Sequence, residues 1–114
     1  DAVRALGEGA APMLIAIAEG ESEAPVTRIR AVLAMRHQST DAVKRTLVRI
    51  ATTASLPALR RSSIDSLSRA FASRDPHLVI ETCEGLRTHE DESVRRAAIE
   101  AEMRARVRGV RSTP

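Results

Sequence analysis

The sequence predicts an all-α fold, an α-α superhelix of about three helical-hairpin repeats, and three observations predict it. Apolar residues recur at helical spacing along nearly the whole chain, and prolines stand where first helical turns would begin. The stretch EDESVRRAAIEAE, Glu90 to Glu102, also repeats its grammar upstream.

Helices are expected at roughly 2–7, 11–19, 25–37, 41–53, 57–72, 76–87 and 92–108. Pro12, Pro25, Pro57 and Pro76 each open one, because the N–H that proline lacks would be an orphan in the first turn. The helix at 41–53 is capped by Ser39, Thr40 or Asp41, the next by Ser55, and the last two by Asp75 and Ser93, whose side-chain oxygens accept orphan backbone N–H bonds. Gly20 and Gly109 fall where helices would end. Between these marks Val43, Leu47 and Ile50, then Ile64, Leu67 and Phe71, then Val79, Cys83 and Leu86 line one face each. Leu47, Ile64, Leu67, Val79, Cys83 and Ile99 are therefore expected in the core. No stretch alternates as a half-buried strand does.

Composition narrows the class. With 114 residues the chain has the length of one domain, and 43% hydrophobic residues suffice for a core. Phe71 is the only aromatic residue, which suits aliphatic helix packing better than a β-sandwich. Eighteen basic residues against 15 acidic give a net charge of only +3, a weak signal for a polyanionic partner. The lone Cys83 excludes an internal disulfide and a cysteine-based zinc site. No apolar run approaches about 18 residues and no basic-then-apolar leader opens the chain, so a soluble cytoplasmic protein without a membrane partner is expected. Beginning on Asp1, in what reads as half an element, the sequence is expected to be a piece of something longer.

Within the repeat, Val94-Arg95 followed by Ala98 aligns with Leu59-Arg60 followed by Ser63, and with Ile29-Arg30 followed by Leu33, at offsets of 35 and 30 residues. The helices between them, APMLIAIAEG, DAVKRTLVRIA and DPHLVIETCEG, share a Pro or Asp opening and an apolar run. The approximate repeats are 1–20, 25–53 and 57–87, with a terminal helix at 92–108, all within a single domain of residues 1–114. EDESVRRAAIEA resembles the acidic turn and Val-Arg-x-x-Ala opening of the HEAT-like repeat family, including the form first described in phycobilisome lyases. ALGEGAAPMLIAIAEG is similar to that family's Leu-Gly exit and Pro-x-Leu second helix. Ser62 and Ser63 stand where small apolar residues are usual, and Thr27 and Arg28 precede Ile29. The resemblance implies a solenoid in which Arg30, Arg60 and Arg95 form a structural ladder, bracing adjacent repeats through carbonyls and acidic side chains.

Each candidate site for chemistry also has a blander role. His77, Glu81 and Glu84 lie at i, i+4 and i+7, one helix face that would suit a metal, yet a solvated polar face explains them as well. His89-Glu90 looks like the His-Glu pair of di-iron hydroxylases with HEAT-like repeats, but it occurs once and in a turn. Cys83 falls on an apolar face, and no nucleophile elbow or phosphate loop is present.

The expected function is a non-catalytic protein-protein interaction or scaffold module, with no cofactor and no metal. Its expected partner surface is Lys44, Arg45, Arg49, His77, Glu81 and Glu84 on the second helices. The alternative is a nucleic-acid-associated module using Arg45, Arg49 and the arginine-rich end Arg104, Arg106, Arg108 and Arg111, a candidate anion-binding end. A further alternative is a lyase or enzyme subunit related to the HEAT-like bilin lyases. Open ends of the stack would also allow self-association.

Overall fold

Proline and aspartate chemistry decides where the helices begin. The computed structural model of the chain describes residues 10–112, with side chains over 10–109. The helices are α1 (Ala11–Glu19), α2 (Pro25–Ala34) extended by a 3-10 turn (Met35–His37), α3 (Asp41–Thr53), α4 (Pro57–Phe71), α5 (Pro76–Glu84) and α6 (Glu92–Ser112). No strand occurs among the described residues, so the fold there is all-α. The helix expected at 2–7 and the side chain of Arg111 lie outside them.

Pro25, Pro57 and Pro76 are the first residues of α2, α4 and α5. Thr40 Oγ1 caps α3 by accepting from the Val43 amide at 3.2 Å, and Asp75 Oδ1 caps α5 by accepting from Leu78 at 3.3 Å. Two expected caps differ. α4 is preceded by Leu56 without a side-chain cap, its start resting on Pro57 instead of Ser55. For α6 the cap is Asp91, because Ser93 is already inside the first turn. Asp91 Oδ1 accepts from the amides of Ser93 at 2.8 Å and Val94 at 3.1 Å, and from the Ser93 hydroxyl. These bonds, the hydroxyl's first, hold the Asp91 carboxyl below its usual range. Gly109 does not end a helix either. It lies inside α6, where a Cβ would come within 3.1 Å of the Pro76 ring, so the missing side chain lets α6 cross the start of α5 closely.

Short loops join α1 to α2, α3 to α4 and α5 to α6, and these pairs pack along their length. The later helix of each pair also packs on the next such helix, α2 on α4 and α4 on α6. The result measures 38 × 35 × 19 Å, the thin dimension being about two helix diameters. Grouped by packing, the hairpins pair the helices one step out of phase with the division drawn from the sequence.

Leu47, Ile64, Leu67, Val79 and Cys83 are all fully buried, as their spacing predicts. Ile99 is not. It is 46% exposed, with Met103 and Val107 exposed beside it on the same stripe of α6, because no helix among the described residues covers that side.

α2, α4 and α6 each carry an arginine at the fourth position, and there the register becomes visible. Arg60 donates from Nε to the Ala54 carbonyl at 2.6 Å and from a terminal nitrogen to Thr52 at 3.1 Å and Ala51 at 3.3 Å, all at the end of α3. Arg95 donates to the carbonyls of His89 at 2.6 Å and Glu90 at 3.0 Å. In the first hairpin this place belongs to Arg28, whose Nε donates to the Ala18 carbonyl at 2.9 Å, while Arg30, expected in the ladder, is exposed. Helix ends leave carbonyls unpaired and carry partial negative charge, so a guanidinium answers both needs. Counting three residues on from Arg28, Arg60 and Arg95, Ala31, Ser63 and Ala98 are all small and buried.

Candidate functional site

The corrected register puts His37, Arg69 and Arg104 at one equivalent place, nine residues after the bracing arginine of each helix. Because α2, α4 and α6 lie side by side, these three side chains meet. Together with Arg36 and Arg108 they line an open groove of about 270 Å³ whose five lining residues are all basic. Arg104 donates to the Ser68 hydroxyl at 2.8 Å and lies 3.9 Å from Asp65. Arg69 engages the same Asp65 through Nε at 2.9 Å, and among the described residues Arg36 reaches only its neighbour His37, at 3.4 Å.

Along the same helices a second groove, about 460 Å³, adjoins the first through Arg104. Its walls are Arg61, Asp65, Arg96 and Glu100, with Leu33 and Ala97 among the apolar residues. Charges of both signs alternate there around a partly apolar floor.

The residues expected to form the partner surface divide by role. Lys44 bridges from α3 to the cap of α5, 3.1 Å from Asp75 and 3.6 Å from Asp41, and sits 5.8 Å from the Phe71 ring centre. The bond to Asp75 is the main reason its ammonium pKa is raised. Arg49 pairs with Glu19 of α1. Arg45, His77, Glu81 and Glu84 are exposed, and Glu84 lies 3.9 Å from Arg106. Among the described residues no three potential metal ligands cluster, His77, Glu81 and Glu84 included. His89 accepts the Asp91 amide on Nδ1 at 3.0 Å, shaping the turn before α6.

The expected anion-binding end divides as well. Arg104 and Arg108 face the basic groove, but Arg106, two residues from either, turns to Glu102 at 2.9 Å. Glu102 is 3% exposed and lies seven residues after Arg95, as Met35 and Leu67 do after Arg28 and Arg60. Its charge survives burial because Arg87 also grips it with both ends of the guanidinium, Nε at 2.8 Å from Oε1 and a terminal nitrogen on Oε2. Burial pushes the Glu102 carboxyl up, the bonds and charges of Arg106 and Arg87 pull it down, and the net direction is down. Behind it, burial first and the Glu102 charge second push the Cys83 thiol up to about 12, which keeps the thiolate scarce.

No helix among the described residues is long and apolar enough to cross a membrane. No family model matches the chain, and no curated protein or solved structure matches it.

Proposed function

We propose that the chain is a HEAT-like helical-repeat module that binds another polypeptide through the face built by α2, α4 and α6, acting by recognition without chemistry. The single observation that carries this reading is the mixed-charge groove along that face, where Arg61, Asp65, Arg96 and Glu100 surround Leu33 and Ala97. A strip with donors, acceptors and apolar floor matches an extended chain, whereas a phosphate backbone would meet Asp65 and Glu100 as like charges. The opposite face supports docking less, since Lys44 and Arg49 are already engaged by Asp75 and Glu19. The Arg-x-x-small register at Arg28, Arg60 and Arg95 and the packing of α2 on α4 and of α4 on α6 support the solenoid reading.

Selection from a random peptide library tests the proposal. Peptides retained by the wild-type protein should lose at least ten-fold in affinity to an Arg96→Glu, Glu100→Arg double variant with an unchanged melting curve. Retention of full affinity would remove this groove from the binding surface.

A further inference from the structure

From the basic groove beside it we infer that the module reads acidic side chains, anchoring carboxylates of a bound polypeptide on Arg36, Arg69 and Arg104; this rests on the polypeptide-binding reading above. Three observations converge on it. The groove draws its lining from three helices, with His37, Arg69 and Arg104 at one register position, so the stacking that stabilises the fold also gathers the charge. Its guanidiniums keep donors in hand: among the described residues Arg69 meets Asp65 through Nε, leaving its two terminal nitrogens uncommitted, and Arg36 has only the long contact to His37.

The third observation is charge imbalance. Lys44, Arg49, Arg87, Arg96 and Arg106 each meet a carboxylate, whereas Arg69 and Arg104 share one, Asp65. Cations placed together repel one another, and an arriving anion relieves that repulsion while accepting forked hydrogen bonds. A helix C-terminus accounts for Arg36 and Arg69 but not for Arg104, which precedes the end of α6 by two turns.

The scale and surroundings select the ligand class. A groove of about 270 Å³ holds one or two carboxylate groups and continues into the mixed-charge groove through Arg104. An acidic segment could therefore seat its charged residues on the guanidiniums while its flanks lie along Arg61, Arg96 and Glu100. A nucleic acid would have to carry phosphates past Asp65 and Glu100, and Phe71, the chain's only aromatic residue, is buried and cannot stack on a base.

The test is fluorescence anisotropy of a labelled hexaglutamate peptide, a labelled hexaglutamine peptide and a labelled random-sequence duplex, each with wild type, Arg69→Ala, an Arg36→Ala, Arg69→Ala double variant, and Arg45→Ala. The expected result is that hexaglutamate binds more tightly than hexaglutamine. Arg69→Ala should weaken it by about five-fold and the double variant by about twenty-fold, while exposed Arg45→Ala leaves it within about two-fold, as hydrogen bonds to charged groups imply. Matching melting curves for all variants exclude unfolding as the cause. Equal hexaglutamate affinity in wild type and double variant overturns the inference, and does so without touching the polypeptide-binding reading if library peptides still bind. Duplex binding tighter than either peptide, falling by about a thousand-fold as salt rises from low to physiological, overturns both in favour of a phosphate-backbone ligand.

Discussion

Arg28 Nε donates to the Ala18 carbonyl at 2.9 Å, tying the first turn of α2 to the end of α1. It places Arg28 in line with Arg60 and Arg95, at the fourth residue of α2, α4 and α6. Each closes the chain end or loop just before its own helix. The three arginines are thus spaced by 32 and 35 residues.

The first prediction concerns these braces. Arg28→Met and Arg60→Met should each lower stability by about 1 to 3 kcal/mol, since each removes charged hydrogen bonds to carbonyls that have few other donors. Arg30→Met, at an exposed position, should stay within about 0.5 kcal/mol. Urea unfolding of the three variants checks this, and a larger loss at Arg30 than at Arg28 would restore the other register.

The second prediction is a gain. Ser63 is fully buried and its hydroxyl has no hydrogen-bond partner among the described residues, at a position that is alanine in the other two helices. Ser63→Ala should stabilise the protein by about 1 kcal/mol, because an unsatisfied buried hydroxyl costs about that much or more. Thermal melts decide it, and a lower melting temperature would mean the hydroxyl is satisfied in solution.

Glu102 supplies the third. Its folded-state pKa is lowered, so its contribution is fully present above the ordinary carboxylate value of about 4.3 and is lost as pH falls through the folded value. Glu102→Gln should cost roughly 1 to 2 kcal/mol at neutral pH, less than a fully buried pair because Arg87 and Arg106 are about half exposed. Urea midpoints of wild type and variant should keep a constant gap from neutral pH down to about 5 and converge in more acidic solution. A gap independent of pH throughout would show that packing, not charge, is what Glu102 contributes.

The fourth contrasts two aliphatic residues. Leu47→Ala should cost about 2 to 5 kcal/mol, since Leu47 is fully buried, while Ile99→Ala on the open side of α6 should cost less than about 1 kcal/mol. Similar losses at both sites would mean that something covers Ile99 in solution.

Much of this architecture was legible in the residues. Pro25, Pro57 and Pro76 mark helix starts by a backbone rule that needs no tertiary context, and the helical spacing of Leu47, Ile64 and Val79 points inward wherever the helices pack. The bracing arginine was misplaced because Ile29-Arg30 reads like Leu59-Arg60, and Thr27 hides the better match. Pro25 already puts Arg28 at the fourth position, but only its bond to the Ala18 carbonyl shows that this position is the bracing one. The basic groove was hidden for the same reason. With the 30-residue offset Arg69 aligns with Ser39, so the meeting of His37, Arg69 and Arg104 disappears. Glu102 reads as a solvated helix charge until the packing of α6 on α5 buries it.

The most direct measurement of the central claim, that polypeptide recognition uses the face of α2, α4 and α6, is an amide chemical-shift map of the isotopically labelled protein titrated with the tightest library peptide. Saturable shifts are expected to concentrate in residues 33–37, 61–69 and 93–104, around the grooves that meet at Arg104. Shifts confined to 44–49 and 77–84, the opposite face, would contradict it.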